Sequence, residues 1–437
     1  KMVNVRKRGK VYEYRIEIAS IDGTRKWITK SGFKTKQEAL QVGAIAYNEY
    51  YQIGKIRKNK DMSYSDYLDY WVDTYCNFNL KYSTIVTYLN IIKLYLKPRL
   101  GHYKLSAIDS QMLQEFINDL YIEKNLSKWY LKGILKTIKG SLKYACYTVN
   151  FINDNPAERV HIPRYEVVTG DPAHIFTQEE IEIILNRFKD NHSIYYAFLT
   201  AYYTGMRVSE VYALTWDCVD FEKKTITVNK NIIKKNKFGK PKKYTMSKGH
   251  STEVWFYGTC KNPQSNRTIS IGDTLVKALK EFKKEQEEYK KYYGDSYLKH
   301  YEKKVINEYT KRPEIKIVSA PAELELNLKE AELVFVKPNG QYRGTESTRH
   351  AFKIINYELG IPCRFHDFRD THATRLIEQG ADIKAVSKRL GHSTIQTTYN
   401  IYVRVTNKME TDTVDKFEDY TNTLVIPKTV DKPFLDV

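Results

Sequence analysis

Residues 193–214, SIYYAFLTAYYTGMRVSEVYAL, constrain the fold more than any other stretch of the chain. The segment before Gly205 is apolar on nearly every side at helical length, and a helix of that kind cannot lie on a surface. It belongs at the centre of a domain, with other elements packed round it. One charge stands at its break, Arg207, directly after Thr204-Gly205-Met206. A guanidinium beside a buried helix has to be compensated. Glu210, three residues on, can do this as a structural ion pair, or as the group that turns the guanidinium fork toward an oxyanion.

At 437 residues the chain is too long for one core, so two or three domains are expected. No run approaches 18 apolar residues, and the first residues, KMVNVRKRGK, lack the apolar core of a signal peptide. The expectation is a soluble, cytoplasmic protein. Cys76, Cys146, Cys218, Cys260 and Cys363 are far apart, and neither CxxC nor HExxH occurs. Reduced thiols are therefore expected, with no metal and no cofactor. The net charge of +19 points to a polyanionic partner. A membrane is the competing polyanion, but no long basic amphipathic helix supports it. The 36 tyrosines, interleaved with lysine, suit phosphate and sugar contacts, although a compositional bias explains part of the count.

Three regions differ in pattern. In residues 1–56, Tyr12, Tyr14, Ile16 and Ile18 alternate with Glu13, Arg15 and Glu17, which predicts a strand with one buried face. Ile21-Asp22-Gly23-Thr24 is turn chemistry before a returning strand, and an amphipathic helix follows to about Gly54. Residues 1–60 hold 15 Lys/Arg against 5 Asp/Glu, a charge that suits a β-ribbon in a DNA groove. Lys55–Lys60 reads as a linker. Residues 62–163 read as all-helical, with stripes at Ile85, Leu89, Ile92 and Leu96 and at Leu131, Ile134, Leu135, Ile138, Leu142 and Ala145. Pro98 and Gly101 should end the second helix. Lysines on the other faces, such as Lys128, Lys132, Lys136 and Lys139, are the DNA-contact candidates.

Residues 175–437 form the third region. Thr177-Gln-Glu-Glu180 has capping-box spacing. Strands are expected at TITVNKNII and RTISIG, separated by a lysine-rich hairpin or loop over 230–261. Residues 275–310 read as a charged helix, 311–330 as an irregular insertion, and the chain from 345 onward as helical. The fold class is α+β and multidomain: a small sheet–helix module, a helical domain, and a mainly α domain with a small antiparallel sheet.

The chemistry lies in residues taken together. His366 and Arg369 are three apart and share a helical face, an arrangement suited to non-bridging phosphate oxygens. Equally, His366 could be a satisfied helix-start residue and Arg369 a partner of Asp370. His392 follows Leu390-Gly391, where a helix should end, and could simply bond a backbone group. Tyr399 and Tyr402 alone would be assigned to packing. As a set, two arginines, two histidines, a lysine and a tyrosine can exchange phosphodiesters.

In this order the residues resemble the tyrosine recombinase family, in particular the integrases of phages and conjugative transposons. The family pattern Arg…Lys…His-x-x-Arg…Gly-His…Tyr is matched by Arg207, Lys261, His366, Arg369, Gly391-His392 and Tyr402. LGHSTIQTTYNIY resembles the family's LGHS-x-x-x-TT-x-x-x-Tyr, so Tyr402, ten residues after His392, is the expected nucleophile and Tyr399 the weaker candidate. KNPQSNRTISI is similar to K-T-x-x-S-x-R-x-I, which places Lys261, with Lys243 and Lys248 as fallbacks. The resemblance implies an arm-DNA-binding domain at 1–56, a helical core-DNA-binding domain at 62–163 and a catalytic domain with a C-terminal tail at 175–437. It implies site-specific recombination of double-stranded DNA at core and arm sites, through a 3′-phosphotyrosyl link and a Holliday junction. Its implied partners are a homo-tetramer on DNA, an excisionase and a host DNA-bending protein. It implies a bacterial enzyme, associated with the nucleoid when bound to DNA. A relaxing type IB topoisomerase or a catalytically silent DNA-binding relative are the alternatives. Asp370 stands where the family usually has a non-catalytic histidine.

Overall fold

The computed structural model describes residues 3–21, 24–53, 62–165, 173–236, 253–258, 263–307 and 310–405. At 18–21, 24–26, 49, 51–53, 236, 253, 263 and 402–405 it describes the backbone only. The described residues up to 165 fall in one compact unit, and those from 173 onward in a second.

The first unit opens with strands β1 (Asn4–Arg8), β2 (Val11–Ile21) and β3 (Thr24–Phe33). They form one antiparallel sheet in the order β1-β2-β3, with Val5 and Lys30 opposite Tyr14. Tyr14 and Ile16 point inward and meet Phe33 and the Ala39 and Ala46 face of helix α1 (Lys36–Ile53). The alternation puts Glu13 on the outer face, yet Glu13 is buried. Arg6 and Arg8 of β1 clasp its carboxylate from the neighbouring strand, which compensates the charge. The linker 55–60 lies outside the described residues.

Four helical runs follow: α2 over 64–79, α3 over 82–100, α4 (Ser110–Lys124) and α5 over 128–148. Ser63, Asp109 and Ser127 each cap a helix by accepting from the amide three residues on. The expected stripes, Ile85 to Leu96 and Leu131 to Ala145, are buried in one core. Two details differ from the sequence reading. The second helix continues past Pro98 to Leu100. A π-type turn at Ile92–Leu96 precedes it and takes up the crowding between the proline ring and the carbonyl of Leu94, four residues back. Several tyrosines are also core residues: Tyr67 donates its hydroxyl to Ser141 O at 2.5 Å, and Tyr64 bonds Ser141 Oγ at 3.2 Å. Lys128, Lys132 and Lys136 are exposed on α5, away from its apolar stripe.

The second unit is built round α7 (His192–Thr204), with Ile194, Ala197, Phe198, Leu199 and Ala201 buried. The Phe198 ring meets Phe188 of the turn after α6 (Gln178–Arg187), Phe352 of α10 (Ser347–Tyr357), and Phe365 and Phe368 of α11 (Phe365–Glu378). Helix α6 starts with the Thr177/Glu180 capping box. The short α8 (Val208–Val211) leads to β4 (Val219–Asp220), β5 (Thr225–Val228) and β8 (Arg267–Ser270), a three-stranded sheet in the order β4-β5-β8.

A second sheet is larger than the sequence suggested. It has five strands in the order β11-β9-β10-β7-β6. Strands β6 (Asn231–Asn236) and β7 (Glu253–Gly258) are the paired ends of the lysine-rich stretch, whose residues 237–252 lie outside the description. The predicted helix over 275–310 ends at Tyr293 as α9 (Asp273–Tyr293). After it, β9 (Leu298–Ile306) pairs with β10 (Pro313–Pro321) and with β11 (Lys329–Glu330), so 311–330 is not irregular. Exposed lysines at 303 and 304 hid the strand pattern, while the β-branched Ile315, Ile317 and Val318 favour it. The unit closes with α12 (Ile383–Leu390) and α13 (Ile395–Val405).

Candidate active site

Two glycines set the geometry. Helix α7 ends at Gly205, whose φ of +65° is left-handed. A Cβ there would stand 2.5 Å from Leu390 Cδ2 and 2.9 Å from His372 Cδ2. Helix α12 ends at Gly391, with φ +68°. A Cβ at that position would stand 2.8 Å from Gln264 O and 3.1 Å from Arg267 Cδ. These close approaches bring the ends of α7 and α12 and the start of β8 together.

The last carbonyls of α12 then become the hub of the site. The final carbonyls of a helix lack intrahelical partners and carry its negative dipole end. Arg267 Nε donates to Arg389 O at 2.7 Å. Arg369 Nη2 donates to Leu390 O at 2.6 Å. Arg207 Nη2 donates to Gly391 O at 3.4 Å. Three consecutive carbonyls thus receive three different arginines. Arg369 is fixed at its other end by Gly205 O, 2.7 Å from Nη1, and is 1% exposed. Its Nε is buried with no hydrogen-bond partner among the described residues, which leaves it as a spare donor.

Glu210 binds the remaining arginines. Its Oε1 accepts from Arg207 Nη1 at 2.7 Å, and its Oε2 from the Arg207 amide at 3.1 Å and from Arg267 Nη2 at 2.9 Å. Burial alone would push this carboxyl up, but Arg267 and Arg207 hold it below the usual carboxylate range. The two readings of Glu210 thus merge: it is a structural partner and also the group that orients Arg207.

His366 and His392 stand in the field of these cations. His366, near the start of α11, is 3.8 Å from Asp370 Oδ1. Its pKa is pushed down to about 4 by desolvation and by the charges of Arg369 and Arg207. Because 55% of its side chain is exposed, the two cations are the sturdier cause. His392 bonds Thr398 Oγ1 through Nδ1 at 2.8 Å, and desolvation with Arg369 and Arg207 pushes it down to about 3. Both imidazoles are therefore neutral near pH 7 and can accept a proton. Asp370 is buried rather than paired with Arg369, and burial beside Asp367 raises its pKa to about 6.

These shifts carry a stability prediction. His366, His392 and His372, the last held down to about 4 by burial and Arg389, lie below the unfolded value of about 6.5. Between about pH 4 and 6.5 the unfolded chain binds more protons, so stability is lost as pH falls through that window. Asp370, raised instead, works the other way and offsets one of the three. The denaturation midpoint of the DNA-free protein should drop from pH 7 to pH 5, and the drop should shrink in His392→Gln. Identical pH slopes for the two proteins would contradict this.

The structure brings Arg207, His366, Arg369 and His392 together. The backbone of Tyr402 lies in α13, one helical turn after Thr398, and its side chain lies outside the description. Tyr399 is 43% exposed on the same helix. Lys261, with Lys243 and Lys248, lies outside the described residues. Sequence reasoning assigned no role to Arg267, Arg389, His372 or Thr398. Arg267 was legible as the arginine of SNRTI, a lone charge at the head of an apolar strand. The other three offered no signal before their contacts were known.

Arginines held by backbone carbonyls, with two neutral histidines beside them, are chemically suited to a tetrahedral anion such as a phosphodiester. Comparison with known proteins places that site in a family. Residues 174–409 match the model of the phage integrase family, residues 63–121 its N-terminal SAM-like domain, and residues 4–49 an arm DNA-binding domain. The chain belongs to the phage integrase family, the tyrosine recombinases. It is 30% identical to a tyrosine recombinase XerC-like protein of Caldanaerobacter subterraneus, over 96% of this chain and 99% of that one. It is 23% identical to the ICEBs1 integrase of Bacillus subtilis, over 90% and 92%. The fold is similar to that of the Tn1549 transposon integrase in complex with a circular intermediate DNA, with a TM-score of 0.59 at 18% identity over 82% of this chain and 99% of that one. It is also similar to lambda integrase, solved as a tetramer bound to a Holliday junction, with a TM-score of 0.51 at 15% identity over 93% and 96%.

Proposed function

We propose that the protein integrates and excises a mobile element by site-specific strand exchange between double-stranded DNA sites. The observation that carries this reading is the convergence of Arg207 and Arg369 on adjacent carbonyls of α12, next to two neutral histidines. Preorganised cations of this kind stabilise the charge that builds on a five-coordinate phosphorus, and the reaction needs no metal. Tyr402 Oη attacks the scissile phosphorus as a histidine accepts its proton. The bond from phosphorus to O5′ breaks, Lys261 protonates the leaving oxygen, and a 3′-phosphotyrosine remains. A 5′-hydroxyl from the partner duplex reverses the step, and two rounds form and resolve a Holliday junction. No bond energy is lost, so no nucleotide cofactor enters.

In this reading residues 1–56 grip arm sites and 62–163 grip the core site, and the protein works as a tetramer with an excisionase and a host DNA-bending protein. It acts in the bacterial cytoplasm, at the nucleoid. Relaxation by a type IB topoisomerase uses the same first step and does not need a second duplex. Two differently labelled duplexes carrying the core site separate the two. Recombinant products containing both labels are expected, and relaxation of a supercoiled plasmid without such products would overturn the reading.

A further inference from the structure

Arg389 stands at the end of α12, outside the set of residues to which the reaction above gives a role, yet its side chain bonds three elements around the site. Its Nε donates to His372 Nε2 on α11 at 3.0 Å. Its Nη1 donates to Ser270 O at the end of β8 at 2.8 Å, and its Nη2 to Tyr203 O on α7 at 3.1 Å. Those three elements also present the site arginines. Helix α11 carries Arg369, strand β8 carries Arg267, and α7 leads into Arg207. His372 is fixed in turn, because Nδ1 bonds Tyr202 O at 2.9 Å. With Nε2 accepting from Arg389, the ring must be the neutral tautomer with its proton on Nδ1.

We propose that Arg389, seated on His372, is a positioning residue for phosphate chemistry: its side chain bolts α7, α11 and β8 to the end of α12, so that carbonyls 389–391 hold Arg267, Arg369 and Arg207 in register. The guanidinium reaches three acceptors on three elements with one planar fork, which an ammonium cannot do. Each of its three nitrogens already has an acceptor within the protein. Its effect passes through the carbonyls on its own backbone and the two that follow. This inference rests on the recombinase reading above.

The test uses the full-length protein, a nicked suicide duplex carrying the core site, and the variants Arg389→Lys, Arg389→Gln and His372→Asn. Formation of the covalent adduct by the wild type checks by itself the cleavage step on which this inference rests, while strand exchange between the two labelled duplexes checks the recombinase reading. With that established, Arg389→Lys should slow single-turnover cleavage about tenfold, and Arg389→Gln more, at unchanged DNA affinity. In an Arg207→Lys background the same Arg389→Lys change should cost at most about twofold, because the register it protects is already spoiled. Equal losses in both backgrounds, or wild-type cleavage by Arg389→Gln, would overturn the proposal. So would a loss that merely follows DNA binding. A measurement without activity covers the case in which the wild type forms no adduct, or a variant folds poorly. Amide exchange at Gly391 and His392, which bond Lys388 O and Ser387 O, should quicken in Arg389→Lys and His372→Asn. Unchanged exchange there contradicts the bolt.

Discussion

Replacing Arg369 with alanine should abolish DNA cleavage and also destabilise the second unit. The side chain is 1% exposed and supplies Gly205 O and Leu390 O with their donors. Removing it strands two buried carbonyls and leaves a cavity in the wall of the site, at a cost on the order of 3–5 kcal/mol. The chemical loss is separate. An oxyanion donor removed from a preorganised site costs roughly 10²–10³ in rate, and the neighbouring arginines lose their register as well. Arg369→Lys isolates the second effect: it keeps the charge but not the fork, so most of the stability should return while cleavage stays about a hundredfold low. Urea unfolding beside single-turnover cleavage measures both. A lysine variant that cleaves like the wild type would show that the fork is not what the site uses.

Gly391→Ala should be nearly as severe for cleavage, through backbone alone. At φ +68° an alanine is strained by about 1–2 kcal/mol. The larger effect is steric, because the new Cβ meets Gln264 O at 2.8 Å, and neither that backbone nor the helix end can yield independently. A shift there moves Arg267, the Gly391 carbonyl and His392 together. Displacements near 1 Å cost about 10²-fold, which is the loss expected in cleavage. Gly380→Ala is the matched control. Its φ of +85° carries the same kind of strain, but nothing lies within 4 Å of the added atom. It should lose stability and keep its cleavage rate. If the two variants behave alike, the close approach at Gly391 does not matter.

What the sequence showed and what it hid follow from the range of the interactions. The buried helix at 192–204, the stripes of 82–100 and 128–148 and the Thr177/Glu180 cap were legible because local periodicity and spacing determine them. The proximity of His366, Arg369 and His392 was legible, since His366 and Arg369 share a helix and Gly391-His392 marks a helix end, whereas Lys261 and the Tyr402 side chain lie outside the described residues. The carbonyl hub was not legible. It joins backbone atoms at 205 and 389–391 to side chains at 207, 267 and 369; one of these contacts, from Arg369 to Leu390, spans 21 residues, but the others span more than 100, and no local pattern encodes them. The β9–β10 hairpin was missed for a different reason. Its exposed Lys303 and Lys304 are consecutive, so they break the alternation of a strand and imitate the charge pattern of the helix before it. Glu13 was assigned to the wrong face because its arginine partners lie on another strand.

In the proposed reaction this cluster directs a tyrosine of α13 at a phosphodiester. The most direct measurement traps the covalent adduct on a nicked suicide duplex, digests the protein and locates the nucleotide-bearing residue by mass spectrometry. A single modified peptide with the nucleotide on Tyr402 is expected, and no adduct from Tyr402→Phe. A nucleotide on Tyr399, or an adduct that survives in Tyr402→Phe, would contradict this proposal.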